Sequence, residues 1–408
     1  MATFKCWAVI LIAVLLLPNV AASADPAEEA FEKGTACVAK HDYDAAITAF
    51  TKAIRLNPRN AETYCGRSFA YCQKGEYDNA IADCNKVIQL NPTSFVAYNN
   101  RGLAYGQKGE FDKAIADCTV AIRLDSQYAP AYNNRGFAFG ETGDLDNAIV
   151  DYDEAIRLNP KYARAYSSRG WAYGQKGNYD KAIADSTEAI RLDPTNAITY
   201  NNRGWAYAQK REPDKAIADC TEAIRLNPKY SVAYMTRSIA YLQKGDYERS
   251  IADSTDAIRL NPKSSSAYSN RGLAYGQKGD RDKAIADCTE AIRLDAKNAT
   301  AYKNRGFTYG QNGDSDKMIT DSTEAIRLNP KDAGTVTNRG VAYVKKKQYD
   351  KAIADFTEAI RLDPDNVAAY HSRGITYEIL GEKAKADEDF AKAKELGYKA
   401  KPPKTADE

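Results

Sequence analysis

A chain of 408 residues would ordinarily divide into two or three globular domains of ~150 residues each. Its 25 glycines and 14 prolines exclude collagen-like and Pro/Gly-rich disordered classes. Lys and Arg (57) against Asp and Glu (55) leave a net charge of +2, which gives no electrostatic case for nucleic acid or a polybasic membrane contact. Two histidines, His41 and His371, poorly supply imidazole catalysis or a multi-histidine metal site, and no cofactor is expected.

The first element in chain order is residues 1–24. A single charge, Lys5, precedes the apolar run Trp7 to Leu17, Pro18 breaks it, and Ala22-Ser23-Ala24 follows. A charged start, a short apolar core and small residues at an A-x-A site predict a secretory signal peptide cleaved after Ala24. As a helix the run would span ~17 Å, short of a ~30 Å hydrocarbon core. The mature chain is therefore expected to be exported, periplasmic or secreted, without spanning a membrane. Envelope association stays open.

From residue 27 to residue 400 one period governs the sequence. The segment AIRLNP, with small variations, ends at Pro58, Pro92, Pro160, Pro194, Pro228, Pro262, Pro330 and Pro364, always at multiples of 34 residues. Ser126 and Ala296 fill the same position in the remaining internal copies. Eleven copies of 34 residues result, followed by a polar tail, 401–408. A fixed period of 34 is the helix–turn–helix value among repeat architectures, and a solenoid grows without closing one core.

With slot 1 of each copy set at Ala27 and every 34th residue after it, slots 4, 8 and 11 read Tyr, Gly, Tyr, as in Tyr98, Gly102 and Tyr105. Slots 20, 24 and 27 read Ala, small or aromatic, Ala, as in Ala114, Cys118 and Ala121. Both sets follow the stripe of an amphipathic helix. A glycine at slot 15 (Gly75, Gly109, Gly143, Gly177) marks the turn between them, and Pro at slot 32 closes the second helix. These residues resemble the tetratricopeptide repeat: aromatic at 4, Gly at 8, Tyr at 11, Ala at 20 and 27, Pro at 32. The resemblance covers about nine tenths of the chain. It implies an all-α, right-handed superhelical solenoid of helix pairs whose first helices line a concave groove that binds other proteins.

The end copies depart from the pattern as caps do. Ala30 and Cys37 replace the first copy's core aromatics, and Asp387 and Lys394 replace isoleucine in the last. The sixth copy has Arg211-Glu212-Pro213 at its turn, which predicts an altered turn. The glycines Gly102, Gly106 and Gly109 do not make a phosphate loop, because no strand precedes them. No Ser/His/Asp order or carboxylate dyad stands out, so the chain is read as not an enzyme.

Cys84, Cys118, Cys220 and Cys288 share slot 24 with Ser186, Ser254 and Ser322, which predicts small packing residues there. Stacked equivalents ~8–10 Å apart exceed the ~7 Å limit for a disulfide. Cys37 and Cys72, level on neighbouring first helices, are the one pair placed to bridge in an oxidising compartment.

Slot 7 is Arg and slot 23 is Asp in the same ten copies, for example Arg203 with Asp219. The helical wheel puts slot 7 at the border of the packed face, close to slot 23. An internal Arg–Asp ladder is favoured over an anion-binding stripe. The family's carboxylate clamp needs Lys at slot 5 and Asn at slot 9. Only Lys303 is basic at slot 5 and no Asn occupies slot 9, so that function does not carry over.

Slot 9 is apolar in ten consecutive copies: Phe69, Leu103, Phe137, Trp171, Trp205, Ile239, Leu273, Phe307, Val341 and Ile375. Slot 12 is often Gly (Gly106, Gly140, Gly174), which leaves room beside those side chains, and slot 5 adds amides at Asn99, Asn133 and Asn201. Apolar anchors flanked by amides fit an extended or helical peptide. The alternative is that slot 9 packs on the adjacent first helix. The expected function is a non-enzymatic scaffold binding a protein or peptide partner. Its rivals are polysaccharide binding in an aromatic groove and a self-assembling structural protein of the cell envelope.

Overall fold

The computed structural model describes residues 25–398, so the expected signal peptide and polar tail lie outside the described residues. Within them are twenty-two α-helices and no strand, from α1 (Pro26–Ala39) and α2 (Tyr43–Leu56) to α21 (Val367–Ile379) and α22 (Lys383–Glu395). The chain divides into two compact units, one ending at Glu212 and one beginning at Pro213. Each is an all-α stack of helical hairpins.

Local chemistry sets the helix ends. Asn60 caps the first helix of repeat 2 by accepting from the amides of Glu62 (2.9 Å) and Thr63 (3.3 Å). That helix stops at Gly75, whose φ of 79° lets its own amide reach Cys72 and the next amide reach Tyr71. The turn around Arg211 is not altered as its sequence predicts. Arg211 takes a φ of 58°, and the amides of Arg211 and Glu212 bond back to Ala208 and Tyr207 in the same pattern. A non-glycine residue tolerates the left-handed conformation here because the flanking helices hold both ends. His41 and Lys347 do the same in repeats 1 and 10.

Packing depends on alanine. Ala70, Ala104, Ala138 and Ala172 at slot 10, with Ala46, Ala80 and Ala148 at slot 20, have no exposed surface. Slot 24 is not reserved for small residues. Phe50, Tyr152 and Phe356 are buried there as completely as Cys118. The large rings fit because slot 8 beneath is glycine: a β-carbon on Gly136 would stand 2.8 Å from Tyr152 Cε1, and one on Gly340 2.6 Å from Phe356 Cε1. Cys37 and Cys72, the pair placed to bridge, are not joined by a disulfide.

Arginine ties these layers together. In nine repeats the slot 7 guanidinium donates through Nε and Nη2 to both oxygens of the slot 23 carboxylate at 2.7–2.9 Å, as between Arg67 and Asp83 or Arg237 and Asp253. The remaining nitrogen, Nη1, reaches slot 25 of the preceding repeat: Thr51 from Arg67, Thr187 from Arg203, Thr221 from Arg237. The slot 4 tyrosines lie against the same guanidiniums, for example Tyr98 with its centroid 5.4 Å from Arg101. The aspartates, Asp219 among them, are 3–8% exposed. Hydrogen bonding to Asp253 raises the pKa of Arg237 above its ordinary value.

Removing one partner of such a pair strands a buried charge. Arg237→Ala and Asp253→Ala should each lower unfolding free energy by ~3 kcal/mol, and the double variant should lose at least ~1 kcal/mol less than their sum. Urea titration of the four proteins checks this; additive losses under ~0.5 kcal/mol each would mean that the pairs contribute only as exposed ones do.

Candidate functional site

The slot 9 side chains project from successive first helices. In the first unit Leu103 is buried, while Phe69, Phe137, Trp171 and Trp205 are half-buried; in the second unit Ile239, Leu273 and Phe307 are half-buried. Only Ile375, in the last repeat, is exposed among these positions.

The space at slot 12 is occupied rather than open. A β-carbon on Gly140 would lie 2.9 Å from Trp171 Cζ3, one on Gly174 2.8 Å from Trp205 Cζ3, and one on Gly106 3.6 Å from Phe137 Cε1. Each glycine is thus a socket for the ring that follows one repeat later. Trp205 also meets Tyr179 edge-on, with centroids 5.8 Å apart. Trp171 packs on the buried cluster of Ala148, Tyr152 and Ala172. The room inferred from the glycines is therefore taken up by the protein itself, and it fixes the pose of each aromatic ring.

The slot 5 amides are also placed differently from the expectation. Asn99, Asn133 and Asn201 are at most 5% exposed. Asn99 donates to Asn100 Oδ1 (3.2 Å) and accepts from Asn134 Nδ2 of the next repeat (2.9 Å). Asn133 Oδ1 and Asn201 Oδ1 accept no hydrogen bond among the described residues. Asn99 thus links two first helices and Asn133 donates within its own helix to Asn134, and none of the three flanks the stripe at the surface. In repeats 5 and 6 a hydroxyl pair serves the same purpose, Thr199 donating to Ser167 at 2.9 Å.

Five of the cysteines, Cys65, Cys84, Cys118, Cys220 and Cys288, are held as thiols by burial. Burial pushes Cys65, Cys84 and Cys288 up to about 12 and raises Cys118 and Cys220 further. Among the described residues no three His, Cys, Asp or Glu side chains converge as metal ligands, and no helix is long and apolar enough to cross a membrane.

The sockets make a specific demand on glycine. Gly174→Ala should cost ~1–3 kcal/mol because its methyl meets the Trp205 ring. Gly276→Ala, whose nearest neighbour would be Thr308 Oγ1 at 3.4 Å, should be tolerated or gain up to ~1 kcal/mol in helix propensity. Urea titration separates the two; equal effects would contradict the socket.

Comparison with known proteins gives the lineage. The sequence matches the family described as TPR repeat over residues 34–71, 69–109, 141–177, 171–210, 240–279 and 340–381. Matches described as tetratricopeptide repeat cover 95–128, 197–230 and 265–298, and further ones cover 299–332 and 367–396. No curated protein matches this chain. Among solved structures, the APC/C hetero-tetramer Cut9–Hcn1 is similar with a TM-score of 0.55 at 14% identity, over 91% of this chain and 93% of that one. Yeast Tom70 aligns at 15% identity over 91% and 92%, with a TM-score of 0.48. MamA reaches 34% identity over 40% of this chain and 94% of its own, with a TM-score of 0.34. The first of these likenesses shares the fold alone, and the family matches span well over half of the sequence. The chain belongs to the tetratricopeptide repeat family.

Proposed function

We propose that this protein is an exported, non-enzymatic scaffold that holds a segment of a partner protein along the first-helix faces of its repeats. The observation that carries the reading is the slot 9 stripe. Apolar side chains recur on the first helices at 34-residue intervals, and Phe137, Trp171 and Trp205 are held in glycine sockets while remaining half-buried. Rings fixed before binding lose little rotamer freedom when a partner covers them, which favours affinity per contact. Because the slot 5 amides are internal, the recognition is apolar, with polar contacts coming from the rim. Scaffolds of this family typically act in protein–protein interaction, in accord with this reading. Export rests on residues 1–24, whose pattern is that of a signal peptide.

The sequence has three tryptophans, and Trp7 falls within the expected signal peptide. Trp171 and Trp205 therefore report on the stripe in the mature protein. A partner recovered by pull-down from the native compartment should reduce acrylamide quenching of their fluorescence at least twofold. A partner that binds with quenching unchanged would place the binding face elsewhere. Terminal sequencing of the exported protein should begin at Asp25; recovery of Met1 would contradict export by a cleaved signal peptide.

A further inference from the structure

The second helices carry a charge pattern that changes along the chain. In repeats 4 to 10 each ends with an acid at slot 26 and an arginine at slot 29. These pair at 2.5–3.0 Å: Glu154 with Arg157, Glu188 with Arg191, and so on to Glu358 with Arg361. The arginine beside it holds the Glu154 carboxyl below the usual range. Each of these helix ends neutralises itself.

Repeats 1 to 3 lack the acid. Slot 26 is Lys52, Lys86 and Val120, and slot 29 is Arg55, Gln89 and Arg123. The last seven residues of α2, of α4 (Tyr77–Leu90) and of α6 (Phe111–Leu124) contain no carboxylate. Asp112 stands in the first turn of α6, away from slot 26, and the other acids of these helices are engaged elsewhere. Asp44 and Asp78 pair with Lys74 and Lys108, and Asp83 and Asp117 are buried under Arg67 and Arg101. Lys86 reaches only the neutral Gln89, at 3.0 Å. A second, independent change falls on the same helices. Leucine at slot 30 is half-buried in repeats 2 and 4 to 11, but Leu56 is 50% exposed and Leu124 37% exposed.

We propose that the ends of these three second helices form a docking surface for an acidic protein segment bearing apolar residues. The surface lies on different helices from the slot 9 stripe and does not depend on it. Guanidinium groups match carboxylates in two-point geometry, and the exposed leucines offer apolar contact between the cations. The fold does not require this pattern, since seven other repeats close the same positions with an internal ion pair. Four cations, the exposed Lys52, Arg55 and Arg123 and the half-buried Lys86, are left without a carboxylate partner among the described residues, so their complement is a partner's acid.

The test gives repeats 1 to 3 the acidic slot 26 of the others. The variant Lys52→Glu/Val120→Glu creates the pairs with Arg55 and Arg123, and Lys86→Glu removes the remaining cation. The probe is a fluorescein-labelled twelve-residue peptide repeating Glu-Glu-Leu, read by fluorescence anisotropy with the full mature chain. The wild type should bind it, more weakly at 500 mM than at 50 mM NaCl. The triple variant should bind at least tenfold more weakly while keeping the wild-type circular dichroism and thermal transition. A second variant, Arg55→Gln/Arg123→Gln, should lose affinity as well, whereas Arg191→Gln/Arg293→Gln in self-paired repeats should not. No binding of the probe by the wild type, or triple-variant affinity within twofold of it, would overturn the proposal. So would binding to phosphatidylserine vesicles but not to the peptide, which would assign the surface to a membrane instead.

Discussion

The structure depends on a three-way use of one guanidinium. Nε and Nη2 of the slot 7 arginine close a two-point bond with the aspartate of their own hairpin, while Nη1 crosses to the hairpin before it. One side chain thus fixes the angle within a repeat and the seating between repeats. A solenoid's stability is approximately a sum of repeat and nearest-neighbour terms, and this contact contributes to both. Where slot 25 is Asp153 instead of threonine, Arg169 lies between two carboxylates, Asp153 at 2.5 Å and Asp185 at 2.7 Å. The lysine bridges at the turn edge, such as Lys74 to Asp44, also join consecutive repeats, but the Asp44 side chain is 82% exposed and such pairs contribute little.

Around this clamp, packing works by complementing large with absent side chains. Glycine at slot 8 receives the slot 24 residue of the same hairpin, whether Cys118 or Tyr152, and glycine at slot 12 receives the slot 9 ring of the next. The second relation bears on function. It makes the aromatic stripe partly structural, so each ring has one face committed to the protein and the remainder available. As the proposed binding face, such a stripe would be stiff and give up little entropy on association.

Much of this was legible in the sequence because identical environments recur. Helix count, turn glycines and closing prolines repeat at 34 residues, and Arg and Asp appear at slots 7 and 23 together or, as in Lys33 and Ala49, not at all. The third arm of the clamp was missed, although Thr51, Thr119, Thr187 and Thr255 recur at slot 25. A polar residue repeated on an outer helix face reads as solvated, and only the stacking shows which arginine reaches it. The glycines at slot 12 were recognised, but a missing side chain does not say whether a ligand or a neighbour fills the gap. The buried Asn99 and Asn134 illustrate the same limit, since they pair across repeats and only the register between first helices shows it. Arg211 shows the converse: its local sequence breaks the turn rule, and the surrounding helices impose the turn regardless.

The most direct test of the clamp removes its inter-repeat arm alone. Thr255→Val keeps the shape of slot 25 and leaves Arg271 paired with Asp287 at 2.7 Å, but deletes the hydroxyl that accepts from Arg271 Nη1 at 3.1 Å. Native-state hydrogen exchange should then show the amides of Ser265–Lys278 and Tyr247–Leu260 opening at a free energy lower by ~1 kcal/mol, with helices two repeats away unaffected. Exchange unchanged at both helices would contradict the account, because the arginine would then act within its own hairpin only.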